Sequence, residues 1–377
     1  MMAGDQSAAS IPNREDYMIP RTLPLLTVAV LAAACAPEAP NSPAAAVSNE
    51  VAAGRAPSLR WRAIDLGTLG GPAALALDVN DLGVVVGYCT IEAEPNTERA
   101  CVWRKPGVLP PEPLPAAGPF SQASGINNRG DIAGLVLASN GLHAVLWPAD
   151  GGLIDLGRTS SNTLPSVNRH GHVVWTMLPA VGETGPVRVG LYRDGVILDL
   201  GIAVPNQGGG FGSPAGISDD GLIAAVGGVY WKRNRWLPLP RPAYTTADLI
   251  PQHVTPEGDI VGQFGSGQAS SLGLWWPTPQ RVRDLGPDFV AYDVDRLGLL
   301  VGEGRVFLEG GAQPWVPGTY TVRRGFHALP LPDGYQSYGR ASRISNEGWI
   351  VGYAVRPDGE RPGILWNRAM VWVPDTP

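Results

Sequence analysis

The chain has 377 residues, of which 44 % are hydrophobic and 16 % charged, and its formal net charge is −6 at pH 7. This apolar content is sufficient for a sizeable core, so disorder along the whole chain is excluded. Lysine occurs only at Lys105 and Lys232, and the mildly acidic balance argues against nucleic-acid binding, which needs concentrated positive charge. We therefore expect a folded protein without a nucleic-acid partner.

The N-terminal segment resembles a bacterial export signal. Residues 23–34 form an apolar run that follows Arg21 and ends in small residues. The run is too short to span a bilayer comfortably, and its flanks suit a secretory signal better. Polar and acidic residues precede Met18, which indicates that Met18 is the true initiator.

The end of the apolar run predicts where the signal is processed. Cys35 follows a leucine and three alanines, which resembles a lipoprotein cleavage site except that the leucine lies four residues before the cysteine rather than three. We expect residues 1–35 to be a lipoprotein-type export signal with Cys35 lipidated, and plain secretion after Ala34 is the alternative. Residues 36–60 are rich in Ala, Pro and Ser, which predicts a flexible linker before a folded region that begins at Trp61.

Within the folded region, one short pattern recurs seven times. A β-branched residue is followed by a residue that can hydrogen-bond its own backbone, then by glycine three positions later and by an aliphatic residue two positions beyond the glycine. The copies begin at Val79, Ile126, Val167, Ile217, Val254, Val294 and Ile344. An Asx or Ser/Thr cap with glycine at the fourth position predicts a type I turn that closes a β-hairpin.

Two further strand signals follow each hairpin. The first usually carries an aromatic residue and occurs at 100–103, 144–147, 189–192, 229–231, 273–275 and 363–366, with the sixth unit ambiguous between 305–308 and 312–315. The second ends in Leu-Gly or Leu-Pro and occurs at 64–67, 112–115, 154–157, 198–201, 237–240, 283–286 and 329–332. Because proline is tolerated in edge strands, the second signal predicts the outer edge of each unit.

The spacing of the units predicts the architecture. Successive turn glycines are 37 to 50 residues apart, and four short strands in such a period are typical of a β-propeller blade. We predict an all-β fold, a β-propeller of seven blades with four antiparallel strands each, over residues 61–377; a parallel β-helix is the structural alternative. Met370–Pro374 and Trp61–Leu66 both have the pattern of an outer strand, so one terminus is expected to complete the last blade and lock the ring.

Cysteine usage agrees with export. Besides Cys35, the chain contains only Cys89 and Cys101, which lie on neighbouring predicted strands. In an oxidising compartment these two cysteines would form a disulfide, and two free thiols are the alternative.

The motifs together resemble those of the HAF-repeat proteins of bacterial envelopes. The resemblance rests on residues 65–71 (DLGTLGG), on the repeated turns and on residues 142–147 (LHAVLW), where His143-Ala144 keeps two letters of the His-Ala-Phe tripeptide that names the family. Phe326-His327-Ala328 has the three residues out of order. The resemblance implies an exported, propeller-like repeat protein of the cell envelope, and it implies no catalytic residues.

Residues that could carry chemistry mostly have a structural explanation. His170 and His172 flank a turn glycine, but a metal site needs a further ligand and none is adjacent; we therefore expect solvent-facing turn residues. Aspartates recur at one repeat position, which predicts caps or contacts to a neighbouring blade: Asp65, Asp155, Asp199 and Asp284. We assign no catalytic residue, no metal site and no cofactor.

The tryptophans divide into two groups. Six occupy the aromatic strand position and are expected to pack between blades rather than stack on sugars: Trp103, Trp147, Trp231, Trp275, Trp315 and Trp366. Four others break the repeat and are the better candidates for an exposed contact: Trp175, Trp236, Trp276 and Trp349.

Three functions remain after these assignments. The first is a noncatalytic, monomeric, lipid-anchored scaffold that binds a protein or a glycan through irregular loops at 90–99, 201–213 and 310–325. The second is a hydrolase or lyase acting on polysaccharide at the channel mouth, and the third is a lectin with repeated weak sites. Titratable residues that break the sevenfold pattern and gather within about 5 Å at the channel mouth would favour the enzyme.

Overall fold

The structure is a computed structural model that describes residues 60–375, except for 93, 116–117, 162–163, 180, 182–184, 204–211, 266–271, 308–312 and 360–363. In this part of the chain all regular elements are strands, and they form seven four-stranded antiparallel sheets. The predicted all-β fold, a seven-bladed β-propeller, is confirmed. The predicted signal, Cys35 and all but the last residue of the predicted linker lie outside the described residues. No helix in the described part is long and apolar enough to cross a bilayer.

Blades 1 to 6 each consist of four consecutive strands, which we number in chain order from the innermost strand outward. Blade 1 comprises β2 (Gly70–Val79), β3 (Val85–Ile91), β4 (Glu94–Trp103) and β5 (Glu112–Pro113). Blade 2 comprises β6 (Ser121–Ile126), β7 (Ile132–Ala138), β8 (Gly141–Trp147) and β9 (Ile154–Arg158). Blade 3 comprises β10 (Ser166–Val167), β11 (Val173–Met177), β12 (Arg188–Arg193) and β13 (Val196–Asp199). Blade 4 comprises β14 (Pro214–Ile217), β15 (Ile223–Ala225), β16 (Val229–Lys232) and β17 (Arg235–Pro238). Blade 5 comprises β18 (Leu249–Val254), β19 (Ile260–Phe264), β20 (Leu272–Thr278) and β21 (Arg281–Gly286). Blade 6 comprises β22 (Phe289–Val294), β23 (Leu300–Arg305), β24 (Trp315–Thr321) and β25 (Gly325–Ala328).

Blade 7 joins the two ends of the propeller. It contains β26 (Gln336–Ile344), β27 (Ile350–Pro357) and β28 (Leu365–Pro374), and its outer strand is β1 (Trp61–Asp65) from the N-terminal side. The expectation that one terminus completes the last blade is confirmed. The assignment of Met370–Pro374 to an outer strand is wrong, because this segment is the second half of the ten-residue β28.

Each repeated turn connects the innermost strand of a blade to the second strand. The turn glycine has a positive φ, between 75° and 95°, in all seven copies, which is the left-handed conformation that glycine adopts without steric cost. In an antiparallel blade the hairpin between the third and fourth strands lies at the same end as this turn. We call the side of the propeller that carries both sets of hairpins the turn face.

The aromatic repeat position is set by the β-ladder. One aromatic residue lies opposite the aliphatic residue that follows the turn in every blade: Trp103, Trp147, Tyr192, Trp231, Trp276, Tyr320 and Trp372. The predicted positions Trp275, Trp315 and Trp366 are therefore wrong for blades 5, 6 and 7. In blade 6 the predicted outer strand is also displaced, because β25 ends before residues 329–332.

These aromatic residues hold neighbouring blades together, as predicted. Four indoles donate Nε1–H to a main-chain oxygen at the outer edge of the preceding blade: Trp103 to Leu66 at 2.8 Å, Trp147 to Pro115 at 2.6 Å, Trp276 to Pro240 at 2.8 Å and Trp372 to Pro330 at 2.7 Å. Trp175 and Trp276 are fully buried, so their selection as exposed contacts is wrong. Trp236 and Trp349 are partly buried.

The recurring aspartates cap the outer strands. In each case an Oδ1 atom accepts the N–H of the glycine two residues later, at 2.7 to 2.9 Å: Asp65 with Gly67, Asp155 with Gly157, Asp199 with Gly201 and Asp284 with Gly286. Asp155 also binds Nδ1 of His143 at 2.8 Å. The structural role predicted for this position is confirmed.

Candidate ligand site at the channel mouth

The repeated turns surround the mouth of the central channel and join the blades to one another. The cap residue of one turn donates its side-chain amide to the backbone of the next: Asn80 Nδ2 to Asn127 O at 3.0 Å, Asn127 Nδ2 to Asn168 O at 2.9 Å and Asn168 Nδ2 to Ser218 O at 3.0 Å. Between blades 7 and 1, Asn346 N–H donates to Asp81 Oδ1 at 2.8 Å. The turn residues are thus engaged in scaffolding.

A bulge places one further residue per blade against the channel. In six innermost strands the ladder register shifts just before the turn, as between Ala76 and Asp78 in β2. A bulge bends a strand and redirects the side chains that follow it. The residue after the bulge, which directly precedes the β-branched turn residue, therefore faces the adjacent blade at the channel wall.

At this position the sevenfold pattern breaks. Four consecutive blades carry large polar side chains: His253 in blade 5, Asp293 in blade 6, Arg343 in blade 7 and Asp78 in blade 1. The other three carry small residues: Gly125, Ser166 and Gly216. At this strand position blades 5, 6, 7 and 1 therefore differ from blades 2 to 4, and Asp78, Ser166, His253 and Asp293 border a cavity of about 300 Å³.

The two aspartates in this wall are fixed by the backbone. Asp78 Oδ2 accepts the N–H of Ile126 at 2.8 Å, and Asp293 Oδ2 accepts the N–H of Ile344 at 3.0 Å, in each case from the next blade. Burial raises the pKa of Asp78 to about 6 and that of Asp293 to about 7, and the nearby Arg343 guanidinium only partly offsets this. Both carboxyl groups can therefore exchange a proton near neutral pH.

The two basic residues have unused hydrogen-bonding atoms. His253 Nε2 lies 3.6 Å from Asp293 Oδ1, while its Nδ1 is buried and has no hydrogen-bond partner among the described residues. Burial, followed by the charge of Arg343, holds the pKa of His253 well below its usual value. Arg343 donates Nη1–H to the carbonyls of Tyr292 and Ser342, and its buried Nε lacks a partner in the described part of the chain.

This arrangement gives the channel mouth a defined chemistry. A carboxylate offers about four lone-pair sites, and each aspartate uses one on its own turn and one on the next blade. The side chains of Asp78, Asp293 and His253, together with the small residue Ser166, border the cavity, and Nε2 is the ring nitrogen of His253 that is not fully buried. The site can accept and donate hydrogen bonds to a small polar ligand.

The charge of the cavity lining disfavours an anion at this point. Asp81, Asp219 and Glu257 line the mouth together with Asp78 and Asp293, whereas Arg169 is the one Arg or Lys residue among the described residues of the lining. Among the described residues no group of three His, Cys, Asp or Glu side chains is arranged to hold a metal ion. A neutral, hydroxyl-rich molecule fits these groups best.

A second polar cluster breaks the symmetry between blades 6 and 7. Tyr292 donates its hydroxyl to buried Glu303 at 2.9 Å, and Arg340 lies 3.6 Å from Glu303 and 4.1 Å above the Tyr292 ring. These contacts satisfy one another almost completely, although Arg340 Nε has no partner within the described residues. We interpret this cluster as a contact that holds the blades together.

The residues selected from the sequence do not form this site. His170 and His172 lie on the turn face with ring centroids 5.6 Å apart, and His172 Nε2 is 3.5 Å from Asp194 Oδ1. Residues 90–99 are largely strand rather than an irregular loop, and 315–321 of the predicted 310–325 loop form β24. Most of the predicted loop 201–213 lies outside the described residues.

The two cysteines outside the signal lie on adjacent strands of blade 1. Cys89 on β3 and Cys101 on β4 are joined by a disulfide, with Cα atoms 6.1 Å apart. Both are fully buried against the interface between blades 7 and 1.

Comparison with known proteins shows the fold of this chain and no closer kinship. No protein-family model matches the chain, and no curated protein matches it. A solved structure of streptogramin B lyase is similar at 12 % identity, covering 84 % of this chain and 98 % of that one with a TM-score of 0.50. A virginiamycin B lyase from Staphylococcus aureus is similar at 12 % identity, covering 84 % of this chain and 99 % of that one with a TM-score of 0.50. The β-propeller domain of the Trilobed protease from Pyrococcus furiosus is similar at 8 % identity, covering 80 % of this chain and 94 % of that one with a TM-score of 0.48.

Proposed function

We propose that this protein is an exported, glycan-binding β-propeller of the HAF-repeat type that holds one sugar at the channel mouth. The observation that carries the proposal is the polar wall: His253, Asp293 and Asp78 line a cavity that Ser166 borders from another blade. Sugar hydroxyls both donate and accept hydrogen bonds. The carboxyl oxygens and His253 Nε2 supply both kinds of partner.

A glycan array probed with the full chain and with a cavity-filling variant tests this proposal. Ser166→Leu places a bulky side chain in the cavity, so binding to the glycans recognised by the wild type should disappear while the protein remains folded. Ser337→Leu is the matched control, because Ser337 is exposed at the far end of β26. Wild-type binding that survives Ser166→Leu would place the glycan elsewhere.

A second function, acid–base catalysis on the bound glycan, is favoured by the pair formed by His253 and Asp293. At neutral pH His253 is uncharged and can accept a proton, while Asp293, with its pKa raised to about 7, is partly protonated and can donate one. Incubation with the polysaccharide that contains the recognised sugar should then release new reducing or unsaturated ends. Product formation should stop in both His253→Ala and Asp293→Asn. If the wild type leaves the polysaccharide unchanged, catalysis is refuted and binding is the function that remains.

The proposed location is the bacterial envelope, with a lipid anchor at Cys35. The sequence motif supports it, and the disulfide in blade 1 is of the kind that forms in oxidising compartments. Cys35→Ala should move the protein from the membrane fraction to the soluble fraction. Unchanged partitioning would exclude the anchor.

A further inference from the structure

A groove on the turn face connects the channel mouth with the rim of the propeller. It lies between blades 3 and 4, has a volume of about 660 Å³, and shares Ile217 and Asp219 with the cavity at the mouth. Its inner part is bordered by His170 and His172, and its outer part by the hairpins between β12 and β13 and between β16 and β17. A chain that starts in the cavity can therefore continue outward along this groove.

Unpaired cations border the outer end of the groove. Arg193, Lys232 and Arg233 are exposed there and have no ion-pair partner among the described residues. They lie at tight hairpins whose tip residues hold positive φ angles, 52° at Asp194, 52° at Arg233 and 61° at Asn234. The hairpins thus fix the backbone positions from which the three positive side chains extend.

The acidic groups in the groove are already engaged. Asp219 lies 3.6 Å from Arg169 and accepts its backbone N–H at 2.9 Å, Asp194 lies 3.5 Å from His172, and Asp220 accepts the hydroxyl of Ser218 at 2.5 Å. Only Asp219 of these described acidic groups is paired with a cation, so the outer end has three cations against the charges of Asp194 and Asp220, and it is the more positive part of the path in a protein whose net charge is −6. The inner end, at the channel mouth, is lined mainly by acidic groups.

We propose that the groove binds an acidic glycan, with a neutral sugar in the channel mouth and a uronate of the same chain beside Arg193 and Lys232. This inference rests on the proposed function and specifies the class of glycan. The change in charge along the path matches a chain in which neutral and acidic sugars alternate. Single-stranded nucleic acid fits less well, because its bases need aromatic platforms and the groove is bordered by one tryptophan, Trp231.

Calorimetric titration of the full chain with three probes tests the groove separately from the channel. N-acetylglucosamine probes the channel alone, hyaluronan oligosaccharides add uronates, and chito-oligosaccharides of equal length add only neutral sugars. We expect hyaluronan oligosaccharides to bind at least about tenfold more tightly than the single sugar, and to lose this gain at high salt. Chito-oligosaccharides should show little gain.

Two charge-reversal variants separate the groove from the rest of the rim. Arg193→Glu with Lys232→Glu should abolish the gain for hyaluronan oligosaccharides and leave N-acetylglucosamine binding unchanged. Arg281→Glu with Arg323→Glu makes the same charge change at exposed hairpins of blades 5 and 6, outside the groove, and should have little effect.

The outcomes distinguish the two proposals. If the single sugar binds and added uronates give no gain in affinity, the proposal for the groove is refuted and the channel site stands. A gain in affinity that persists in the variant with Arg193→Glu and Lys232→Glu also refutes the proposal for the groove. Binding of no probe contradicts the channel site as well, and a single-stranded oligonucleotide that binds through the same cations would assign the groove to nucleic acid instead.

Discussion

Raising the pH from 5 to 8 should destabilise this protein through Asp293, and Asp293→Asn should remove that part of the loss. Burial raises the pKa of Asp293 to about 7 in the folded protein, against an ordinary value of 3.8. The native state thus holds the proton more tightly than the unfolded chain does. The resulting stability is fully present below pH 3.8 and is lost as the pH rises through about 7.

The magnitude follows from the two pKa values. With 3.8 in the unfolded chain and about 7 in the folded protein, the linkage relation gives a loss of about 3 kcal/mol between pH 5 and pH 8. Asp293 is buried, so solvent screening leaves most of this free energy in place. Asp78, whose pKa is raised to about 6, adds its own pH dependence, which the variant retains.

Urea denaturation at pH 5, 6, 7 and 8 measures this effect. The difference in free energy of unfolding between Asp293→Asn and the wild type should shift by about 3 kcal/mol in favour of the variant across this range. Any hydrogen bond that the asparagine loses changes the absolute stability at every pH, so the slopes are compared. Ser337→Ala, which removes no titratable group from an exposed position, should keep the wild-type slope. Equal slopes for Asp293→Asn and the wild type would refute the reasoning.

Three further predictions concern the stability of the scaffold, which thermal or chemical denaturation measures. Trp276→Phe removes the hydrogen bond to Pro240 and should cost about 1–3 kcal/mol because the carbonyl loses its donor; no loss would contradict the contact between blades. Gly302→Ala should cost about 3 kcal/mol, since its Cβ would lie 1.9 Å from the Val290 carbonyl oxygen, whereas Gly359→Ala meets no atom within 4 Å and should be neutral. Replacing Cys89 and Cys101 by alanine should cost about 3 kcal/mol under non-reducing conditions, and equal stability would argue against the disulfide.

The architecture was predictable because its signal is local. Each turn needs a capping side chain and a glycine at fixed spacing, and these requirements hold whatever the rest of the blade contains. The order of blades and the number of strands follow from counting such turns. Closure of the ring by a terminal strand was predicted, but which terminus supplies the outer strand was left open, because the pairing of β1 with β28 joins residues about 300 positions apart and no local pattern specifies it.

Strand register was less predictable for the same reason. Trp275 and Trp276 are adjacent, and a shift of one residue moves a side chain to the opposite face of a strand. Only the pairing of Ile260 with Trp276 in the ladder shows which indole is buried between the blades. Trp366 and Trp372 are both on β28, and their pairing with β27 decides between them in the same way.

The candidate site was not predicted from the sequence because the prediction relied on the residues that the seven copies of the repeat have in common. The residue just before the β-branched turn residue is the informative one, and it differs between blades: Asp78, Gly125, Ser166, Gly216, His253, Asp293 and Arg343. Variation in charge and size was the available signal, but the turn position that carries Leu82, Arg129 and His170 varies as much, so the signal alone does not select the site. That four polar residues fall on consecutive blades, and so on one side of the channel, follows only from the ring.

A crystal structure of the full chain with the best ligand from the glycan array tests the central claim most directly. The account predicts density for one sugar at the channel mouth, with its hydroxyls within hydrogen-bond distance of Asp293 and of His253 Nε2, and with its body against Ser166. A ligand held on the face opposite the turns, with the channel mouth empty at saturating concentration, would contradict it.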